Sequence, residues 1–345
     1  MNTGPAQSVA TADAARRAGL GGVLVPIATA LVVGIVFLLV YLAAFHTPLP
    51  HRLPVAVAGT PEQAARIQSD LDNAQPGGYA VRAVADRASA TDLLAVRSVY
   101  AAYLFDNSEL LYAGANGPSV NSDLARALAT GHDHLTRTDV LPATPGDSRG
   151  LSTFYTAFGV VLVGYLYALM AYHAAPRLPV AHRVAGLGLF SLACGVAAAL
   201  IGGGAGFDAL PAPVLGIIVV TGLMACAAAS FTLVMMRLTG PLGPPLASIV
   251  LLILGNAGSG AILPAAYLPA WLHSCATLLP VGSGVRALQG MAYFHNDGLL
   301  TALLVLTVWT TACLGALLLK LGRPGPPRSS ADIRPEPGND SNPDR

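Results

Sequence analysis

Few residues in this 345-residue chain stand in patterns that could do chemistry. The only lysine is Lys320, with no glycine run ahead of it, so a phosphate-cradling loop whose lysine reaches a nucleotide is excluded. No HExxH, CxxC or GxSxG motif occurs. Cys194, Cys226, Cys275 and Cys313 are isolated from one another and, in apolar surroundings, read as small hydrophobic residues rather than ligands or disulfide partners. His132, Asp133 and His134 could begin a metal site, yet no cysteine or third histidine lies nearby to complete it, and a solvated linker is the expected reading. Gly202, Gly203 and Gly204 resemble a phosphate cradle without a nearby cation, so a loop after close helix packing is expected. The expectation is therefore no catalytic residue, no metal and no cofactor held by this chain.

The remaining candidates are polar or helix-breaking residues in apolar sequence. Asn256, Gly258, Ser259, Gly260 and Pro264 interrupt one apolar run, and Pro280, Gly282 and Arg286 follow before the next. Physically this is a glycine-broken span, a proline-bounded amphipathic helix and a tight turn. Arg286 is the sole arginine of the short external loops and is placed to reach lipid phosphate. Thr221 and Ser230 can bridge helices or meet an amphipathic substrate, with helix packing the commoner role. No Asp, Glu, Lys or Arg lies inside a predicted span, which argues against a proton relay or a charged-ring channel.

The elements that must position these residues follow from composition. Hydrophobic residues make up 54% of the chain and charged ones 11%, with a net charge of +1 and a mean hydropathy of +0.59. That excludes an ordinary soluble enzyme and gives no basic surplus for nucleic acid. A membrane helix needs about 20 mostly apolar residues. Six runs qualify: 20–45, 151–172, 184–204, 213–236, 246–265 and 298–319, with an interfacial or re-entrant segment over 268–294. The first run is too long for a cleaved signal and reads as an anchor. Arg16, Arg17, Arg177, Arg183, Arg237, Lys320, Arg323 and Arg328 all fall on one side if the N-terminus is inside, so both termini are expected in the cytoplasm. Residues 1–19 then form a cytoplasmic tail and 321–345 a disordered one. Segment 46–150 has eight arginines and eleven acidic residues, a soluble density, and reads as a small α/β domain outside the membrane, β-α-β-α-β-β-α, with a return linker over 133–149. The predicted fold is an α-helical polytopic membrane protein of six transmembrane helices, the last five within 151–320, carrying one inserted extracytoplasmic α/β domain.

That order of elements, with the block from Gly255-Asn256 through Ser259-Gly260, Pro264, Leu268-Pro269, Leu279-Pro280, Gly282, Arg286 and Tyr293-Phe294, resembles the ABC-2-type transporter membrane (permease) superfamily, more narrowly its YhgE/Pip and DUF3533-like branch. The resemblance implies a subunit of the bacterial cell membrane that exports lipids, drugs or polymers as a homodimer or heterodimer, in contact with membrane lipid. ATP would be used only by a separate ATP-binding cassette ATPase. It also implies a coupling loop over 173–183, which holds Arg177 and Arg183. Some relatives of that branch act instead as secretion or envelope accessories, so a non-transporting scaffold is the alternative.

Overall fold

The structure, a computed structural model, describes residues 5–129, 135–174 and 178–321. Arg177, the 132–134 trio and most of the C-terminal tail lie outside the described residues. Helix α1 (Pro5–Phe45) is continuous and begins well before the apolar run. The segment expected as a tail is alanine-rich, and alanine extends a helix at the least cost.

After α1 the chain builds the α/β unit. It runs β1 (Leu53–Ala58), α2 (Pro61–Ala74), β2 (Tyr79–Val84), α3 (Arg87–Ala95), β3 (Ala101–Leu104), β4 (Glu109–Tyr112), α4 (Pro118–Ala129) and β5 (Thr136–Asp139). Helix α2 starts as its sequence dictates: the Thr60 side chain accepts from the Gln63 amide, Gln63 reaches back to the Thr60 amide, and Pro61 opens the first turn. The sheet order is β2-β1-β3-β4-β5, parallel except for the β3–β4 hairpin. Alternation along β1 sends Leu53, Val55 and Val57 to the face covered by α2 and α4, while Ala56 faces α3 with Ala90 and Leu94. Strand β5 corrects the expected linker. Its Thr-Arg-Thr-Asp sequence has no apolar alternation, but it pairs in parallel with β4, and the Thr138 hydroxyl donates to Glu109 at 2.6 Å.

Among the described residues, five helices are long and apolar enough to cross a membrane, which makes this a membrane protein. They are the Gly22–Phe45 part of α1, then α5 (Ser152–Ala174), α6 (Val180–Gly202), the continuous 44-residue stretch Val214–Ala257, and the last helix. Asp147 accepts from the amide and hydroxyl of Ser152 and so caps α5. Helix α7 (Val214–Thr239) is the hub, packed by α5, α6, α12 (Pro280–Tyr293) and α13 (Leu299–Leu321). Close approach is built in: a Cβ on Gly195 of α6 would sit 2.5 Å from the Ile218 carbonyl. Thr221, Ser230 and Thr232 donate to carbonyls of their own helix, so these buried hydroxyls are satisfied locally.

The long stretch Val214–Ala257 bends at Gly240–Leu242 into α8 (Gly243–Ser248), a π-helical turn (Ile249–Leu254) and α9 (Gly255–Ala257). Helix thus ends at Ala257 and not at the expected 265. The run from Gly243 is fifteen residues, roughly 22 Å at 1.5 Å per residue, short of the ~30 Å hydrocarbon core. Irregular chain follows, then α10 (Ala270–His273) and α11 (Cys275–Leu278). Helix α12 falls in the segment read as interfacial or re-entrant, and it is buried along most of its length among α5, α7 and α13. Its apolar stripe has helices to meet and does not need lipid.

The two ends of the bundle differ. At one end, the α/β unit, the loop around Asp208 and the turn at 294–298 come together, with Thr144 donating to the Asp208 carbonyl. Toward the other, Tyr165, in the C-terminal half of α5, donates to the Pro244 carbonyl beside the α7–α8 bend.

Candidate functional site: a basic cavity beneath the α/β unit

The irregular chain after Ala257 does something the sequence did not suggest. Leu263 and Tyr267 insert into the core of the α/β unit, beside Leu53, Ile67, Leu124 and Leu128. The broken apolar segment is therefore shared property of two cores, and it pins the unit to the bundle. Gly260 makes the turn with φ +76°, a conformation that side chains rarely adopt. Behind the turn, Asn256 donates from Nδ2 to the Leu252 carbonyl, inside the π-helical turn, at 3.0 Å. Its Oδ1 is buried with no hydrogen-bond partner among the described residues. Ser259 donates to the Asn256 carbonyl at 2.8 Å and accepts from the Ala261 amide.

A second anchor is ionic. Arg97, in the turn after α3 with φ +50°, reaches across to the bundle. Its Nη1 donates to Gln289 at 2.7 Å, its Nη2 donates to the Arg286 carbonyl at 3.1 Å, and its guanidinium lies 4.5 Å from the Phe294 ring centre. Its Nε is 3.2 Å from Asp297 Oδ2, an ion-pair contact and not an aligned hydrogen bond. Asp297 also takes Nη2 and Nε of Arg286 at 3.1 and 3.3 Å. Burial lowers the Arg97 pKa and raises that of the neighbouring Tyr100. Arg286 thus pairs with Asp297, a partner that the sequence reading did not name.

Between these two anchors lies a cavity of about 580 Å³. Its wall brings together Ser259, Gly260, Pro264 and Arg286 from the predicted set with Arg52, Arg97, Asn116 and Asp297, which sequence reasoning missed. Asn256, Gly258, Pro280 and Gly282 do not line it. Gly258 stands behind the wall, where an added Cβ would come within 2.6 Å of Cys275 Cβ. Pro280 opens α12, and Gly282 is buried within it. Arg183 sits far off, lining a separate apolar pocket with Arg237, Tyr167 and Leu314. One signal for the missed pair was present: Asp297 is the lone acidic residue between 209 and 319, eleven positions from Arg286. Nothing local marked Arg97.

No family model, curated protein or solved structure matches the chain. What the arrangement offers is a polar, cation-rich chamber at the junction of a membrane bundle and an α/β cap.

Proposed function

We propose that this chain is a permease-like subunit of an ABC-2-type exporter of the bacterial cell membrane, moving an amphipathic substrate with ATP hydrolysed by a separate ATPase. In this reading it performs no covalent chemistry itself and works as a homodimer or heterodimer. The observation that carries the reading is the broken fifth apolar segment. It stops short of a full span, opens at Ser259–Gly260 onto a polar cavity, and continues into the core of the capping unit. Irregular backbone at membrane depth is tolerated where protein or a water-filled cavity surrounds it, and such places serve as substrate paths.

Six crossings, both termini in the cytoplasm and the α/β unit outside belong to this proposal. The gathering of the 203–213 loop, the 294–298 turn and the α/β unit at one end of the bundle supports that alternation, as does the arginine asymmetry. Arg177 and Arg183 would then lie in the loop that meets the ATPase.

The test is export by a strain carrying only Ser259→Val or Pro264→Ala, with the surface level of each variant measured in parallel. Loss of efflux at equal abundance supports the substrate path. Wild-type efflux at equal abundance assigns this segment to anchoring, and leaves the envelope-scaffold role as the better account.

A further inference from the structure

The charges around the cavity do not balance. Arg97 and Arg286 share one carboxylate, Asp297, and Arg52 adds a third guanidinium to the same wall. Among the described residues, Asp297 is the only acidic one lining it. Arg286 spends Nε and Nη2 on Asp297, and its Nη1 has no partner among the described residues. The Arg52 side chain makes no hydrogen bond or ion pair among the described residues either. A further donor points to the same conclusion: Nδ2 of Asn116 is buried without a partner among the described residues. An amide N–H₂ buried without an acceptor is unfavourable, so it marks a place where an acceptor belongs.

From these features we propose that the cavity binds the oxyanion head group, of phosphate type, of an amphiphile. Three guanidinium groups against one carboxylate supply the charge, since planar guanidinium forks match tetrahedral oxyanions well. Asn116 supplies a neutral donor, as an uncharged hydrogen bond to the same oxygens. Pro54, Ala265, Ala266 and Val285 in the same wall give an apolar margin for the first carbons behind the head group. The inference rests on the transport reading for its use, because it names the class of molecule moved, but binding can be measured without transport. Free phosphate shares the head-group chemistry, so the probes must separate the two sources.

The experiment uses the full chain in a non-ionic detergent and follows binding by calorimetry. The probes are decyl phosphate, inorganic phosphate and zwitterionic decylphosphocholine. Saturable binding of decyl phosphate, with decylphosphocholine at least tenfold weaker, is the expected result. Arg52→Gln and Asn116→Ala should each weaken it about tenfold, with Arg52→Lys recovering part of the loss. Neither residue bears on the Arg97–Asp297 anchor, so these variants should unfold at the parent temperature. Equal affinity for inorganic and decyl phosphate supports the oxyanion site and makes its source a soluble anion. No saturable binding of either phosphate, or binding unaffected by both variants, overturns the proposal. The two readings fail separately. Charge-dependent binding without export sinks the exporter alone, and export that neither variant slows, with no binding, sinks the oxyanion site alone.

Discussion

Asp297→Asn is the perturbation that probes the junction most sharply. The side chain of Asp297 is 19% exposed and that of Arg97 12%, so the pair lies out of bulk water, whereas Arg286 is 48% exposed. Replacing the carboxylate by an amide keeps the shape and leaves the buried Arg97 guanidinium without its counter-charge. Breaking a buried pair from one side costs about 3–5 kcal/mol. Arg286→Gln, by contrast, removes a half-exposed charge and should cost at most about 1 kcal/mol. With a shift of about 2–4 °C per kcal/mol for chains of this order, Asp297→Asn should lower the melting temperature by about 6 °C or more. Fluorescence-detected thermal unfolding of the full chain in detergent measures both. The Arg97→Met, Asp297→Asn double variant should lose less than the two single losses added together, by at least about 1 kcal/mol, because the second change removes the orphaned charge. A melting temperature for Asp297→Asn within a degree of the parent, or strict additivity in the cycle, would refute the idea that a buried ion pair joins the unit to the bundle.

Other consequences are independent of that pair. Hydrogen bonds from Arg87 at 2.6 Å and from Thr138 hold the Glu109 carboxyl below its usual range. Its contribution is therefore complete above the unfolded carboxyl pKa of about 4.3 and is lost as pH falls below it. Stability of the parent should drop more steeply than that of Glu109→Gln between about pH 5 and 3, and identical acid profiles would count against the cause given. Gly258→Ala should destabilise by about 1–3 kcal/mol through the clash with Cys275. Gly315→Ala, with nothing within 4 Å of the new methyl, should be neutral or gain up to about 1 kcal/mol. Equal melting temperatures for the two would contradict the packing described. In a chain with its four cysteines replaced by alanine, Asn107→Cys should label from outside the cell and Thr239→Cys only after permeabilisation. Both positions are exposed in the structure, and external labelling of Thr239→Cys would reverse the proposed orientation.

Much of the architecture was legible because it depends on length and period. Apolar runs longer than 20 residues gave α5, α6, α7 and α13 to within about four residues at each end. The Thr60-Pro61 start and the alternation of β1 gave the first half of the α/β unit. What stayed hidden depended on tertiary partners. Strand β5 is polar and takes its place from β4 and Glu109, so no periodicity announces it. The fifth apolar run looked long enough to span, but composition cannot say that Leu263 and Tyr267 are claimed by another core. Helix α12 has the amphipathic pattern of a surface helix, and only the neighbours α5, α7 and α13 reveal it as buried. Within the candidate site, the predicted set marked the right stretch of chain yet supplied only four of the seventeen residues facing the cavity. Arg97 comes from a turn 189 residues before Arg286, a separation at which spacing carries no signal.

The exporter reading meets its most direct test in reconstituted vesicles. The full chain, purified from its native membrane under conditions that retain partners, would be placed in vesicles loaded with ATP on the ATPase side, and the movement of a fluorescent alkyl phosphate across the bilayer followed. The account predicts co-purification of an ATP-binding cassette protein and ATP-dependent transfer that Ser259→Val slows at equal protein content. Transfer indifferent to ATP and to that substitution, from a preparation containing no such ATPase, would contradict it.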